Sequence, residues 1–203
     1  NIYYQEPSDR TNAATANFKF EKPLEFILVK PSGSDCNFNC EYCFYVDKKD
    51  SEKNRMSTSV LQELIEQGIY QSIDQVTFGW QGGEPTLMGL DFFKKAVEIQ
   101  NSYNNTWVAN TIPTNGLLLD QDWVEFFNDN GFLVGISLDG PEHIHNKYRK
   151  KGDKGTWKKV EENARKLIVD DVKVNCLSTI NDYSVDYPEE IYNYLKDIGF
   201  EFI

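Results

Sequence analysis

The chain has 203 residues, of which 40% are hydrophobic and 14% aromatic, and its formal net charge is −11. That length and apolar content suffice for one substantial folded domain and exclude an intrinsically disordered chain. The acidic balance argues against nucleic acid or an anionic membrane surface as a partner, because both are bound through clustered Lys and Arg. No apolar run approaches the roughly 20 residues of a membrane span, and residues 1–10 lack the apolar segment of a secretory signal.

The hydrophobic pattern predicts strands and helices in alternation. Residues 1–23 are polar without a clear period, so we expect an N-terminal extension followed by one domain over residues 24–203. Predicted strands cover residues 24–30, 75–80, 107–112, 132–138 and 172–180, and a sixth begins at 200–203. Predicted helices cover residues 57–70, 91–100, 122–128, 156–169 and 188–198.

The strands are apolar throughout, which predicts a parallel α/β sheet buried on both faces. Five strand–helix units with an unfinished sixth fit either an open doubly wound sheet or a partial barrel. In both architectures ligands bind at the carboxyl ends of the strands. Unusual residues follow four of those ends, in the segments 36–43, 81–85, 114–116 and 137–141.

Three of the four cysteines, Cys36, Cys40 and Cys43, have the spacing C-x3-C-x2-C. Such clustering predicts a metal site in a reducing compartment, which we take to be the cytoplasm. Thiolates are the preferred ligands of iron–sulfur clusters, and three on one loop can hold a [4Fe–4S] cubane with its fourth iron open. An open iron can chelate the amine and carboxylate of an amino acid. If that amino acid is the methionine part of S-adenosylmethionine, one electron can cleave a C–S bond and generate a 5′-deoxyadenosyl radical.

A zinc-binding interaction module is the alternative from a different class. A structural zinc site needs a fourth ligand, and the candidates Cys176, His143 and His145 lie far along the chain. We expect Cys176 to be a buried core thiol. The two histidines fall in a predicted loop after a proline, and we do not expect them to bind a metal.

The other strand ends offer groups that a ligand could use. Gly82 and Gly83 would let backbone approach a ligand closely, and Glu84 could accept hydrogen bonds from an ammonium group, although an ordinary turn explains the same residues. The hydroxyl of Ser137 suits a ribose or a local backbone partner equally well. Asp139 precedes Gly-Pro, so the sequence favours a turn-forming role for it.

Aromatic residues crowd the last cysteine of the loop. Tyr42, Phe44 and Tyr45 could shield a cluster or stack on adenine, and for Phe44 we favour packing in the core.

Residues 147–159 hold seven basic residues and one acid, a pattern typical of a solvated surface. The guanidinium of Arg149 could hold a carboxylate at two points. The spacing alone does not distinguish Arg149 from Lys150.

Taken together, these motifs resemble a known family. Cys36-x3-Cys40-x-Tyr42-Cys43 matches the radical S-adenosylmethionine signature C-x3-C-x-aromatic-C. The order and content of the remaining motifs resemble the anaerobic sulfatase-maturating enzymes, a branch that carries a C-terminal SPASM domain. Those motifs are residues 43–45, 81–87, 114–116 and 137–141.

The resemblance implies a partial (β/α)6 barrel whose cluster is ligated by Cys36, Cys40 and Cys43. It implies contacts to S-adenosylmethionine, with Tyr42 at the adenine, Gly83 at the methionyl amine, and Ser137 and Arg149 near the ribose and the methionyl carboxylate. The full set of expected cofactor contacts is Tyr42, Gly82, Gly83, Glu84, Ser137 and Arg149. Tyr45 and Gln81 match positions that face a peptide substrate.

The implied reaction is the oxidation of a Cys or Ser of a sulfatase to formylglycine, begun by abstraction of a β-hydrogen. A reductant such as flavodoxin or ferredoxin would supply electrons. The family's catalytic base and two auxiliary clusters belong to the C-terminal domain, which we expect beyond Ile203, so the chain as given should not complete a turnover. Pro113 replaces a Gln that is usual in the family. A related enzyme that forms thioether or carbon–carbon crosslinks in peptides is the alternative within the superfamily.

Overall fold

The structure is a computed structural model that describes residues 22–45, 55–103 and 106–203. Most of the predicted N-terminal extension, residues 1–21, lies outside this part of the chain.

The described residues form an alternating α/β arrangement. Its strands are β1 (Phe26–Val29), β2 (Gln75–Trp80), β3 (Trp107–Thr114), β4 (Leu133–Ile136), β5 (Lys150–Lys151), β6 (Lys154–Gly155) and β7 (Val174–Cys176). Its helices are α1 (Thr58–Tyr70), α2 (Leu90–Asn101), α3 (Gln121–Asp129), α4 (Glu142–Tyr148), α5 (Trp157–Val169) and α6 (Pro188–Ile198). Short 3₁₀ helices cover Pro85–Met88 and Ser184–Asp186.

Five strands form one parallel sheet in the order β1-β2-β3-β4-β7. The spatial order follows the chain order, as expected when each crossover returns to the next position in the sheet. The carboxyl ends of all five strands therefore open on the same edge of the sheet. This arrangement confirms the predicted parallel α/β fold and is consistent with a partial barrel.

A chain of buried aromatic rings ties the middle of the sheet to its helices. Ring centroids are 5.7 Å apart between Trp80 and Phe93, 5.5 Å between Phe93 and Trp123, and 5.4 Å between Trp123 and Phe127. Phe127 in turn lies 5.6 Å from Phe132, at the start of β4. Large buried rings contribute strongly to core stability, so the loop that leaves β2 at Trp80 starts from a rigid base.

Strand β3 is longer than the sequence predicts. It continues through Pro113 to Thr114, and Pro113 lies opposite Gly135 of β4. Pairing with β2 ends at Thr111, so the missing N–H of the proline falls near the end of the ladder, where proline is tolerated. The prediction that Pro113 stops the strand is wrong.

Two other predictions about strands need correction. Residues 200–203 do not form a sixth strand. They are linked to the end of β7 by a hydrogen bond of 2.9 Å from Cys176 N to Phe202 O. Strand β1 is not buried on both faces, because Phe26 and Leu28 are 54% and 53% exposed. Among the described strands it lies at the edge of the sheet, with β2 as its one neighbour.

The segment after β4 contains structure that the sequence analysis missed. Residues predicted as a loop and a charged surface form helix α4 and the β5–β6 hairpin. Residues two positions apart on a helix point to different faces. His143 is accordingly exposed, whereas His145 is fully buried. Cys176 is a buried thiol that donates to Leu138 O at 3.3 Å, as predicted.

None of the described helices is both long and apolar enough to cross a membrane.

Candidate active site at the carboxyl edge of the sheet

The three clustered cysteines lie on the loop that follows β1. Phe38, between the first two, is buried in the core, and Cys40 is also buried. Phe38 N donates to Cys36 Sγ at 3.4 Å, and Cys43 N donates to Cys40 O at 3.1 Å. The apolar anchor and these local bonds hold the loop in a compact form.

A second set of contacts fixes the loop to the segment after α4. Asn39 N donates to Lys150 O at 2.9 Å, and Glu41 N donates to Tyr148 O at 3.3 Å. The side chain of Asn39 also accepts from Gly152 N at 2.7 Å. Arg149 lies between the two backbone acceptors, so these bonds carry it to the cysteine loop.

Burial disfavours the charged form of the thiols. It raises the pKa of Cys36 to about 11 and raises the pKa of Cys40 above its ordinary value. Since a thiolate is the form that binds metal, loading this loop with iron must release protons.

The glycine turn after β2, residues 82–84, packs against residues 33–35, which lead into the cysteine loop. Gly83 N donates to Gly33 O, and Glu84 N donates to Asp35 O, both at 2.8 Å. A Cβ on Gly83 would lie 2.6 Å from Asp35 C, and one on Gly82 would lie 2.9 Å from Gly33 O. Both glycines thus allow two backbone segments of the protein to meet. Their predicted contacts to S-adenosylmethionine remain predictions.

Glu84 joins the ends of β2 and β3. Its carboxylate accepts hydrogen bonds from Thr86 N at 3.0 Å, Thr86 Oγ1 at 2.6 Å and Thr114 Oγ1 at 2.7 Å. The other oxygen accepts from Asn115 N at 2.7 Å. Burial raises the pKa of Glu84, and the four donors oppose that shift. The predicted contact between Glu84 and a ligand ammonium group remains a prediction.

Asn115 extends this network to the cysteine loop. Asn115 Nδ2 donates to Asn37 Oδ1 at 2.7 Å and lies 3.9 Å from Cys36 Sγ. Among the described residues Asn37 Nδ2 has no hydrogen-bond partner, although it is buried. An unpaired buried donor is costly, so this amide is suited to an acceptor that arrives with a bound group.

Asp139 is the centre of a buried ion pair, which corrects its expected role as a simple turn residue. Asp139 Oδ2 accepts from Arg149 Nε at 2.9 Å and from Tyr42 OH at 2.6 Å. Its other oxygen accepts from Thr179 N at 3.0 Å. Burial disfavours the charged guanidinium, but Asp139 outweighs this and holds the pKa of Arg149 above its ordinary value.

The structure separates Arg149 from the rest of its basic run. Arg149 is 8% exposed, with its guanidinium carbon 5.5 Å from the centroid of the Tyr42 ring. Lys150 instead forms a surface ion pair with Glu41 at 3.2 Å. Arg149 Nη1 makes no hydrogen bond within the part of the chain that the structure describes, so it is available to an anionic ligand.

A neutral histidine holds Arg149 and Asp139 in place. Thr156 Oγ1 donates to Arg149 O at 3.0 Å and lies 3.1 Å from His145 Nε2, so Nε2 carries the proton. His145 Nδ1 then accepts from Asp139 N at 3.4 Å. Burial and Arg149 lower the pKa of His145 to about 3. Sequence reasoning missed this role because the histidine is adjacent to the site only after α4 forms.

The remaining predicted contacts lie along the same edge. Ser137 N donates to Thr114 O at 2.9 Å, and Ser137 Oγ has no hydrogen-bond partner among the described residues. Gln81 N donates to Val29 O at 2.7 Å, so Gln81 leaves β2 beside the end of β1. The predicted ribose contact of Ser137 and substrate contact of Gln81 remain predictions.

Tyr45 lies at the outer end of the cysteine loop. Its hydroxyl accepts from Lys30 Nζ at 2.8 Å, and its ring centroid is 4.1 Å from that of Phe44. Phe44 is 72% exposed, so the expectation that it packs in the core is wrong. The loop turns outward after Cys43, and the two rings pack on each other instead.

The residues present fit a [4Fe–4S] cluster. Across the described residues, no three Cys, His, Asp or Glu side chains converge as the ligands of a single ion do. In a cubane each thiolate binds a different iron, so convergence on one point is not required. The cysteine loop supplies three thiols, and next to Cys36 the buried amide of Asn37 has a donor without a partner among the described residues.

The chain is similar to proteins of known family. The chain is 41% identical over 197 residues to the serine-type anaerobic sulfatase-maturating enzyme of Bacteroides thetaiotaomicron, covering 94% of this chain and 47% of that protein. It is 36% identical over 184 residues to the cysteine-type enzyme of Clostridium perfringens, covering 87% of this chain and 50% of the relative. The chain therefore spans about half the length of the curated relatives it matches.

Solved structures show the same arrangement of the chain. The structure described as native anSMEcpe with bound AdoMet superposes with a TM-score of 0.84 at 37% identity, covering 89% of this chain and 50% of that one. A family model described as the radical SAM superfamily matches residues 31–200, which include the cysteine loop and the ends of β2, β3 and β4. This chain belongs to the radical SAM superfamily.

Proposed function

We propose that this chain is the core of a peptide-modifying radical enzyme whose reaction is sulfatase maturation. The observation that carries the proposal is the position of the cysteine loop. Backbone hydrogen bonds fix it to the glycine turn after β2 on one side and to the segment around Arg149 on the other. The turn after β2 and the segment around Arg149 thus flank one loop that carries three thiols.

In this proposal Cys36, Cys40 and Cys43 hold a [4Fe–4S] cluster beside bound S-adenosylmethionine. Bound together, these cofactors supply a 5′-deoxyadenosyl radical for hydrogen abstraction. The ring of Tyr42 and the hydroxyl of Ser137 contact the nucleoside. The Gly82-Gly83-Glu84 turn contacts the methionyl group.

Arg149 binds the methionyl carboxylate through its unpaired Nη1. Because Asp139 and Thr179 already hold the other side of the guanidinium, the group is oriented before the ligand binds. This preorganisation reduces the entropy lost on binding.

The substrate is a peptide segment of a sulfatase, and the product is formylglycine from Cys or Ser. Relatives of both the serine type and the cysteine type match this chain, and a related solved structure is described with bound AdoMet and the Cp18Cys peptide. Tyr45 and Gln81 contact the peptide. A reductant such as flavodoxin or ferredoxin supplies electrons in the reducing cytoplasm.

The first test is cofactor cleavage by the chain itself. After anaerobic reconstitution with iron and sulfide, dithionite and S-adenosylmethionine should yield 5′-deoxyadenosine. Cys40→Ala should reduce the yield to background, because the cluster loses a ligand. Cys176→Ala is the matched control, since that buried thiol bonds to Leu138 O away from the loop, and it should retain the yield. A wild-type chain that binds no iron would contradict the proposal.

The second test addresses the substrate. The protein is incubated with sulfatase peptides that carry Cys or Ser at the modified position, and mass spectrometry follows the products. Formylglycine in either peptide supports sulfatase maturation. A thioether or carbon–carbon crosslink would instead identify a different peptide-modifying reaction on the same core.

A further inference from the structure

Two asparagine amides lie beside Cys36. Asn37 follows the first cysteine directly, and Asn115 follows β3 at the neighbouring strand end. Their side chains meet at 2.7 Å, from Asn115 Nδ2 to Asn37 Oδ1. The contact joins two loops that are 78 positions apart in the sequence.

The orientation of both amides is determined by their partners. Asn115 Oδ1 accepts from Leu117 N at 3.0 Å, so its Nδ2 must face Asn37. A donor requires an acceptor opposite it, so the atom of Asn37 that faces Asn115 is Oδ1. Asn37 Nδ2 consequently points away from Asn115, and a flipped amide would place two donors face to face.

Backbone contacts keep this pair rigid. Asn115 N donates to the buried carboxylate of Glu84 at 2.7 Å, and Glu84 N in turn donates to Asp35 O, next to Cys36. These hydrogen bonds, with the one between Asn115 and Asn37, form a ring that links Asn115 to the start of the cysteine loop. Within it, Asn37 Nδ2 is buried and unpaired among the described residues.

We propose that Asn37 and Asn115 donate hydrogen bonds to sulfur atoms of the cluster at Cys36 and thereby raise its reduction potential. The inference rests on the proposed cluster site. Asn115 Nδ2 already lies 3.9 Å from Cys36 Sγ, a contact that strengthens when the thiol becomes a thiolate. Hydrogen bonds to cluster sulfurs stabilise the more negative, reduced state, and they are one of the factors that set the potential. Asn37 and Asn115 are thus positioning and tuning residues.

The test measures the midpoint potential of the reconstituted 203-residue chain, which has cysteines for a single cluster of this kind, by redox titration monitored by EPR. Asn37→Leu keeps the branched shape of the side chain without adding charge. It removes the Asn37 donor together with the acceptor of Asn115 Nδ2. We expect the ratio of reduced to oxidised cluster at a fixed potential to fall by up to about tenfold, which for one electron is about 59 mV. Iron and sulfide content is measured in the same samples, so that loading and tuning are separated.

Asn39→Leu is the matched control in the same loop. Asn39 bonds to Gly152 through both atoms of its amide, so its loss should weaken the loop without moving the potential. An unchanged potential in fully loaded Asn37→Leu would overturn the inference. An equal shift in Asn39→Leu would also overturn it, because the effect would then come from the loop as a whole.

A second measurement is used if the Asn37→Leu variant does not take up the iron–sulfur cluster. Wild-type chain labelled with ¹⁵N in the asparagine side-chain amides is reduced without S-adenosylmethionine and measured by pulsed EPR. We expect hyperfine coupling of a labelled nitrogen to the cluster, and its absence would refute the hydrogen bond. If the wild type binds no cluster at all, the proposed function fails, and this result differs from a loaded cluster that lacks the coupling.

Discussion

At the scale of single residues, the site depends on a buried carboxylate that the sequence presents as a turn former. Asp139 is 1% exposed and accepts hydrogen bonds from Arg149, Tyr42 and Thr179. The partners come from the cysteine loop, from the end of α4 and from the segment after β7. One aspartate therefore holds together three parts of the proposed S-adenosylmethionine site.

We predict that Asp139→Asn destabilises the fold by about 3 kcal/mol, because it leaves the charge of Arg149 buried without a counterion. The side chain of Arg149 is only 10% exposed in the pair, so water cannot compensate. Denaturant unfolding measures the loss. Isothermal titration of the reconstituted protein should also show weaker binding of S-adenosylmethionine, because Arg149 and Tyr42 lose a shared anchor.

Asp182→Asn provides the comparison for this prediction. Asp182 accepts a hydrogen bond of 2.7 Å from Tyr148 OH but is exposed. Its substitution should cost less than about 0.5 kcal/mol. If both variants lost a similar amount of unfolding free energy, the buried ion pair would contribute no more to stability than an exposed hydrogen bond.

At the scale of elements, two loops that leave adjacent parallel strands form the site together. The cysteine loop follows β1, the glycine turn follows β2, and Gly83 N and Glu84 N donate across the gap. Neither loop is held in this position by its own sequence alone. The close contact requires that no side chain stand between the two backbones.

We predict that Gly83→Ala lowers both stability and cluster content. The added Cβ would lie 2.6 Å from Asp35 C and 2.7 Å from Ser34 C, which are backbone atoms that cannot rotate away. The cysteine loop must move, at a cost of about 1–3 kcal/mol for overpacking. Iron content after reconstitution and the midpoint of thermal unfolding measure the two effects.

Gly131→Ala is the control that distinguishes a steric clash at Gly83 from the general effect of replacing a glycine by alanine. Gly131 has φ of 61° and a Cβ there would meet nothing within 4 Å. It should cost about 1 kcal/mol through backbone strain alone and leave iron content unchanged. If Gly83→Ala retained full iron content, the glycine turn would not position the cysteines.

At the scale of the whole molecule, a buried neutral histidine makes folding sensitive to acid. His145 is fully buried, and its pKa falls from the ordinary value of 6.5 to about 3. Between those values the unfolded chain binds one proton more than the folded chain, so stability falls as the pH falls. Below about pH 3 the folded state also binds the proton and the loss is complete.

We predict that His145 removes about 2 kcal/mol of stability between pH 7 and pH 5. Carboxylates also titrate in acid, so the wild type is compared with His145→Gln, which cannot titrate at this position. The variant should be less stable at pH 7 and should lose less on acidification. His143→Gln, at the only other histidine, should retain the wild-type loss. Parallel pH profiles for the wild type and His145→Gln would contradict the prediction.

Most helices and strands could be predicted from the sequence because the hydrophobic residues follow the period of a helix or a strand. The limits predicted for β2 and α6 match the structure, and Ser57 caps α1 by accepting from Val60 N. Predictions failed where a neighbour decided the outcome. Pairing with β4 carried β3 through Pro113.

The cysteine spacing, the alternation of strands and helices, and the placement of unusual residues at strand ends all follow from the order of residues along the chain. These properties depend on contacts between near neighbours in the chain, or on the alternation that parallel sheets require. Only the packing of distant segments buries Arg149 in an ion pair with Asp139 and leaves Lys150 in a surface ion pair with Glu41. The same packing leaves Asn37 with a buried donor that is unpaired among the described residues. Each of these depends on which groups are excluded from water together, and burial is settled only when distant segments pack.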